Sequence, residues 1–404
     1  MAEAARALDD GTAAEPRFLG YGRQSLNADD VAAVVEVLQS DFLTQGPVVP
    51  QFEAAIAEYV GAHYAVAVSS GTAALHLACL AAGLETGDHG VTQPITFVAS
   101  ANAMAYCNAT SHLVDIDADT LTMGTGLLAD HLAKMPETKV VMPVSFAGLA
   151  SDGAERRSVC GERTIIEDNS HSLGARESCG AMVGACTHAD MSVFSFHPVK
   201  PITTCEGGAI TTNDPDLYAR LAALRTHGIV RGHEAVRNPS DADDPWYYEQ
   251  QALGLNYRLP DVQAALGLSQ LGRIDAFIAR RREIALRYDR LLAACPHLRL
   301  IQAAPEQRQR SGHHLYLVDI DYSSAGTDRK TVMERLRARR IGTQVHYIPV
   351  HHHPWHRERM GLGEGAMPVS ERYYAGCLSI PCFPDLEDHE VDRVAHALRE
   401  VLDA

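Results

Sequence analysis

The chain has 404 residues, 46% of them hydrophobic and 21% charged, which excludes disordered and fibrous classes and leaves room for one large core beside a smaller second domain. Fifty-one acidic residues against 35 basic ones give a formal net charge of −16, with no basic block anywhere along the chain. Such a chain repels nucleic acid and anionic membrane surfaces, so an anionic ligand has to be held by a local group of donors.

Residues 1–17 read as a flexible N-terminal tail, rich in alanine and acid and without the basic and apolar regions of a signal peptide. From Tyr64 to Asp214 short β-rich runs alternate with helical or loop stretches. The runs are Tyr64–Ser69, Gly90–Ile95, His112–Asp117, Lys139–Phe146, Thr164–Asp168, Met191–Phe196 and Gly208–Asn213. Many are nearly continuous in apolar residues, the pattern of strands covered on both faces, which predicts an α/β sheet of about seven strands. The helix opening at Gly71-Thr72 is apolar nearly all round, through Ala73, Ala74, Leu75, Leu77, Ala78 and Leu80. It should lie buried, with its start inside the protein. The apolar run is too short to cross a bilayer, and a cytoplasmic protein without a transmembrane segment is expected.

After Asn213 longer helices take over. The stretch Arg231–Gln250 has turn composition and reads as a surface loop. A helix is predicted from Asp261 to about Leu292, with Leu268, Leu271, Ile274 and Ile278 in one stripe. Then come a strand at His314–Ile320, a helix from about Thr327 to Arg340, a strand at Thr343–Tyr347 and a closing helix from Asp385 with Val391, Val394, Leu398 and Val401 on one face. The division this suggests is a large α/β domain over 18–260 and a smaller α+β domain over 261–404. Nine cysteines are scattered without CxxC pairs, so free thiols are expected, with neither disulfides nor structural zinc. The run His351-His352-His353-Pro-Trp-His356 is not read as a metal site, because consecutive histidines cannot all face one ion without distortion.

The chemistry is concentrated in Ser195-Phe-His-Pro-Val-Lys200-Pro-Ile-Thr-Thr-Cys-Glu-Gly-Gly208, directly after an expected buried strand. A lysine at a strand exit is desolvated, which lowers its pKa and makes the amine nucleophilic, as Schiff-base chemistry needs. The strand Ile165-Ile166-Glu167-Asp168 delivers a carboxylate at its end, with His171 three residues on. Such a carboxylate suits the pyridinium nitrogen of a pyridoxal cofactor, and the imidazole its phenolic oxygen. Ser69-Ser70-Gly71-Thr72 joins a strand to the buried helix, where free N–H groups and small residues let a phosphate approach, and Ser195 adds a hydroxyl. Phe97 follows a strand and is followed by small residues, a placement suited to stacking on a cofactor ring. Each of these residues alone is more often a surface lysine, a helix cap or a core side chain; their company makes the case.

These stretches, with Gly254-Leu-Asn256-Tyr-Arg258 and Gln263, resemble the DegT/StrS-type nucleotide-sugar aminotransferases from about Tyr21 to the C-terminus. The resemblance implies the pyridoxal-phosphate-dependent aspartate aminotransferase fold, fold type I. It implies that Lys200 binds the cofactor covalently, Asp168 pairs with the ring nitrogen, Thr72 and Ser195 hold the phosphate, and Phe97 stacks on the ring. Asn256 should reach the phosphate site of a neighbouring subunit, which implies a homodimer with shared active sites. Tyr21, Asp41, Phe42, Leu43, Thr44, Gly71, His346 and Tyr347, together with Ser195 and Asn256, fall where the nucleotide sugar binds, the first five expected from the partner chain. Leu43-Thr-Gln-Gly46, Gln344-Val-His-Tyr347 and Leu378-Ser-Ile-Pro381 further resemble the 4-aminotransferases of pseudaminic acid biosynthesis. That likeness implies glutamate as donor and a UDP-linked 4-keto-6-deoxy-N-acetyl-L-altrosamine-type acceptor. Another UDP-, GDP- or dTDP-linked keto-sugar is the alternative. Many members carry glycine where this chain has Cys205, so the turn before Glu206 is expected to differ. A dehydrase of the same fold carries histidine in place of the lysine, a regulatory relative need not retain Lys200 with Asp168, Ser195 and Asn256, and a Rossmann enzyme needs a GxGxxG after the first strand; none of these suits the chain.

Overall fold

Seven runs rich in β-branched and small apolar residues form one sheet: β1 Tyr64–Val68, β2 His89–Thr92, β3 Thr110–Leu113, β4 Thr138–Met142, β5 Thr164–Asp168, β6 Met191–Ser195 and β7 Gly208–Thr212. Their order is β1-β7-β6-β5-β4-β2-β3. Strands β2 to β6 run parallel, and β7 lies antiparallel between β1 and β6. All seven expected strands are present. β2 and β4 stop short of their expected ends because Pro94 and Pro143 follow, and proline has no N–H for the ladder. The computed structural model describes residues 16–150, 152–233, 235–238 and 241–403. The expected tail lies outside the described residues as far as position 15, while Arg17 is ion-paired with Glu390.

Alternate strand residues divide between two cores. Val66 and Val68, with Val140, Ile166, Val193 and Ile210, pack against helix Gly71–Ala81. Ala65 and Ala67, with Phe194 and Ala209, pack against helix Val48–Val60. Covering both faces is what makes the strand runs continuous in apolar residues. Helix Gly71–Ala81 buries eight of its eleven residues, so its N-terminus opens inside the protein rather than on its surface.

Beyond the large sheet, β8 Ile229–Val230 and β9 Glu249–Gln250 pair antiparallel as a short ribbon, which takes Glu249 and Gln250 out of the expected loop. The expected helix from Asp261 is two helices, Asp261–Leu271 and Ile274–Leu292, parted at Gly272-Arg273. Leu271, Ile274 and Ile278 join the core of the large sheet, whereas Ile284, Tyr288 and Leu292 join the second core. The long helix therefore ties the two together. The second core is built on β10 Leu298–Leu300, β11 Tyr316–Ile320 and β12 Cys377–Ile380, all antiparallel. Helices Arg329–Ala338 and Asp388–Leu402 cover it, the latter burying Val391, Val394, Leu398 and Val401 as its sequence stripe requires. The expected strand at Thr343–Tyr347 does not form: Gln344 makes one isolated bridge to Ser379, and the chain then leaves the sheet. Among the described residues no helix is long and apolar enough to cross a membrane.

Candidate active site

Strand register gathers the chemistry at one edge of the large sheet. Asp168 pairs with Val193, Ser195 with Gly208, and Gly208 with Val68, three residues before Gly71. A cleft of about 630 Å³ opens at this edge. Lys200, Asp168, His171, Ser195, Gly71, Thr72, Phe97, Tyr21, His346 and Tyr347 all line it. Tyr21, expected from a partner chain, stands in its own chain's cleft, with its ring edge-on to His346 at 5.0 Å between centroids. Asn256 lies outside the lining, exposed and bridged to Thr226. Asp41, Phe42, Leu43 and Thr44 are likewise exposed and outside it.

One end of the cleft is the start of helix Gly71–Ala81. The Ser70 hydroxyl caps that helix, accepting the Ala73 N–H at 3.1 Å. A Cβ on Gly71 would stand 2.7 Å from the Cβ of Ser195 and 3.0 Å from its Oγ, so only glycine lets the Ser195 hydroxyl come this close to the helix start. Free first-turn N–H groups, the helix dipole and the hydroxyls of Thr72 and Ser195 make a place for a phosphate.

Asp168 is buried and firmly oriented. Its Oδ2 accepts the Ser100 hydroxyl at 2.6 Å and its Oδ1 accepts the Ser170 N–H at 3.1 Å. Ser100 is itself hydrogen-bonded to Thr96 at 2.8 Å. The Ala147 N–H donates to His171 Nδ1 at 3.3 Å, which puts the imidazole proton on Nε2, facing the Tyr347 hydroxyl at 3.1 Å. Burial first, then the charge of Lys200, holds His171 well below the ordinary histidine range. The same two causes push His346 down to about 3. Both rings are neutral bases at physiological pH. His314 stands 4.5 Å from His171 between ring centroids, with its Nδ1 buried and without a hydrogen-bond partner. Sequence reading passed over His314, and also Ser100 and Glu206; the small residues noted after Phe97 were the only sign of Ser100.

Lys200 is partly buried in the cleft wall, and burial lowers its pKa to about 8 against the opposing charge of Asp168. No carboxylate is ion-paired with it among the described residues. Near pH 8 half of this amine is therefore an uncharged nucleophile. In cofactor-free protein, reductive labelling of Lys200 by a small aldehyde is expected to titrate with a midpoint near 8 instead of the 10.5 of an ordinary lysine. An ordinary midpoint, measured on the Lys200 peptide by mass spectrometry, contradicts it. The turn that follows holds Cys205 at φ +67°, the left-handed region that favours glycine.

A family model for the DegT/DnrJ/EryC1/StrS aminotransferases matches residues 24–399. The spore coat polysaccharide biosynthesis protein SpsC of Bacillus subtilis (strain 168) is 37% identical over 388 residues, 95% of this chain and 97% of that one. PseC of Helicobacter pylori, an aminotransferase involved in the biosynthesis of pseudoaminic acid, superposes with a TM-score of 0.86 at 30% identity, over 96% of this chain and 100% of its own. Spr1654 of Streptococcus pneumoniae, in its pyridoxal-phosphate form, gives a TM-score of 0.85 at 26% identity, over 96% of this chain and 99% of its own, and it is also solved in the pyridoxamine form. The likeness runs over nearly the whole chain and reaches relatives solved with the cofactor in both forms, so this chain works with pyridoxal phosphate and belongs to the DegT/DnrJ/EryC1/StrS aminotransferase family.

Proposed function

We propose that the chain transfers the amino group of an amino acid, L-glutamate by the family resemblance, to C4 of a nucleotide-linked 4-keto-6-deoxy sugar. The likeness to PseC favours a UDP-linked N-acetyl-L-altrosamine-type ketone as that sugar. The observation that carries the reading is Lys200, an amine of depressed basicity in the same cleft as a buried carboxylate.

The residues fit pyridoxal phosphate. Gly71 leaves a cradle that a Cβ would fill, and the orphaned Nδ1 of His314 is a buried polar atom in want of a partner. Bound there, the cofactor supplies an electron sink for charge developing at the amino carbon. Gly71, Thr72 and Ser195 hold its phosphate, Phe97 covers a ring face, and Asn256 of a second copy completes the phosphate site. Asp168 keeps a proton on the ring nitrogen, and His171 keeps its Nε2 proton available for the phenolic oxygen. Lys200 would hold the cofactor covalently and, with its amine free, would serve as the base that takes the donor's Cα proton. In the second half it returns a proton to C4 of the sugar on the face it occupies, which fixes the configuration of the new amine. Tyr21, His346 and Tyr347 face the sugar, with Asp41, Phe42, Leu43 and Thr44 entering from the second copy. The exposure of Asn256 and of residues 41–44 supports this homodimer with two shared sites. So does the lining of the single-chain cleft, which has no arginine for the anionic groups of cofactor and nucleotide. We place the enzyme in the cytoplasm, in keeping with nine unpaired thiols.

The test is borohydride treatment of the yellow holoenzyme, followed by incubation of untreated enzyme with glutamate and a panel of UDP-, GDP- and dTDP-linked 4-keto-6-deoxy sugars, read by mass. A stable pyridoxyl adduct on Lys200 and amination of the UDP sugar are expected. An adduct on another lysine overturns the site. Amination of only a GDP or dTDP sugar overturns the substrate, and amination of no sugar overturns the reaction.

A further inference from the structure

Between β5 and β6 the chain folds a small hairpin, Arg176 bridging antiparallel to Met182, and then returns past the start of helix Gly153–Cys160. Glu177 on this hairpin is 3% exposed, yet no cation is ion-paired with it among the described residues. Its side chain has one hydrogen bond, a weak one from the Cys179 thiol at 3.9 Å. Among its charged neighbours Glu167 and Asp152 are like charges, and Arg156, whose guanidinium is paired with Glu167, offsets them only in part. A buried carboxylate with neither an ion-paired cation nor a strong donor is costly, and it is relieved by a proton or by a cation.

The surroundings favour the cation. A carboxylate oxygen of Glu177, the Cys179 sulfur and a ring nitrogen of His188 all lie within 4.8 Å of one another. Gly153 leaves the room for this: a Cβ there would stand 3.0 Å from His188 Cδ2 and would collide with the Glu177 carboxylate. We propose that Glu177, Cys179 and His188 bind one zinc ion that clips the hairpin to the segment leading into β6, beside the start of helix Gly153–Cys160. A thiolate, an imidazole and a carboxylate form a mixed S, N, O set that suits zinc. Zinc bonds of about 2.0 to 2.3 Å at tetrahedral angles put ligand atoms roughly 3.5 Å apart. The 3.9 Å between sulfur and Oε2 closes to that with a small shift of the exposed Cys179. The fourth position falls to water, because Cys179 stands at the surface. None of the three residues lines the cleft, so the ion is a structural clip and takes no part in transamination. No CxxC spacing announces the site; the ligands come from Glu-x-Cys and a histidine nine positions further on.

The other cluster, His351, His352 and Glu371, differs in its carboxylate. Glu371 already accepts the N–H groups of Gly365 and Met367 and a hydrogen bond from His351 Nε2, so it carries no unmet charge, although the buried Nε2 of His352 has no hydrogen-bond partner.

Holoenzyme freed of metal by chelator and titrated with zinc in a calorimeter is expected to take up one ion per chain. Cobalt in place of zinc should add a near-ultraviolet thiolate charge-transfer band to the difference spectrum against metal-free holoenzyme. Cys179→Ser, at an exposed position that keeps the fold, should abolish that band and weaken zinc binding at least tenfold, with turnover unchanged. His188→Ala and Glu177→Gln should weaken binding to a similar degree. Zinc should raise the melting temperature of wild type and not of Cys179→Ser. No uptake by wild type, equal uptake by Cys179→Ser, or loss of binding in His352→Ala instead would each overturn the site.

Discussion

Asp168→Asn is expected to fold normally, take up pyridoxal phosphate and lose turnover by about a thousandfold, roughly 4 kcal/mol of transition-state stabilisation. Folding survives because the amide reproduces the contacts: its oxygen accepts the Ser170 N–H and its NH2 donates to Ser100, which keeps its bond to Thr96. Turnover fails because a neutral amide cannot hold a proton on the ring nitrogen. A second readout separates this from a structural defect. Asp168 is the one group that opposes the lowering of Lys200 by burial, so removing its charge moves the labelling midpoint of Lys200 in cofactor-free protein below about 8. Near-normal turnover with an unchanged midpoint would take Asp168 out of the site.

Much of this site is legible in the sequence for one physical reason. Asp168 and Ser195 end buried strands, Lys200 lies in the turn after one and Gly71 opens a buried helix, and a mostly parallel sheet gathers such positions at one edge whatever the loop lengths between them. The seven strands could be read because both faces are covered, so that apolar residues run on without a polar face. His314 could not be read in the same way. It reaches the cleft just ahead of β11, a strand of the other sheet, and nothing local says that the two cores meet at His171. Thr343–Tyr347 misled for a related reason. Its alternation is that of a strand, but after the Gln344 bridge His346 and Tyr347 turn into the cleft, where His346 bonds Ser379 and Tyr347 meets His171. The break at Gly272 was missed because Leu271 and Ile274 keep helical spacing across it. Side chains recruited from a second body, and local breaks inside a sound periodicity, carry no pattern of their own.

Lys200→Ala is expected to abolish turnover, since no other amine lines the cleft to take its proposed proton-transfer role. Asn256→Asp is expected to be nearly as damaging under the proposed two-chain site, because it sets a carboxylate beside the phosphate. The two lesions then differ in which chain they spoil. Lys200→Ala disables the cleft of its own chain, whereas Asn256→Asp disables the cleft of its partner, so neither homodimer has an intact site. In a mixed dimer one site inherits both lesions and the other inherits neither. Random re-pairing of equal amounts makes half the dimers mixed, each with one good site of two, so activity should recover to about a quarter of wild type. A side chain that served its own cleft would give no recovery, because every cleft would then contain a damaged residue. The exposure of Asn256, bridged to Thr226 and absent from the lining of its own cleft, favours recovery. Inactivity after subunit exchange has been shown by mass would confine each site to one chain, and the lack of an arginine in the cleft would then have to be met by the helix start at Gly71 alone.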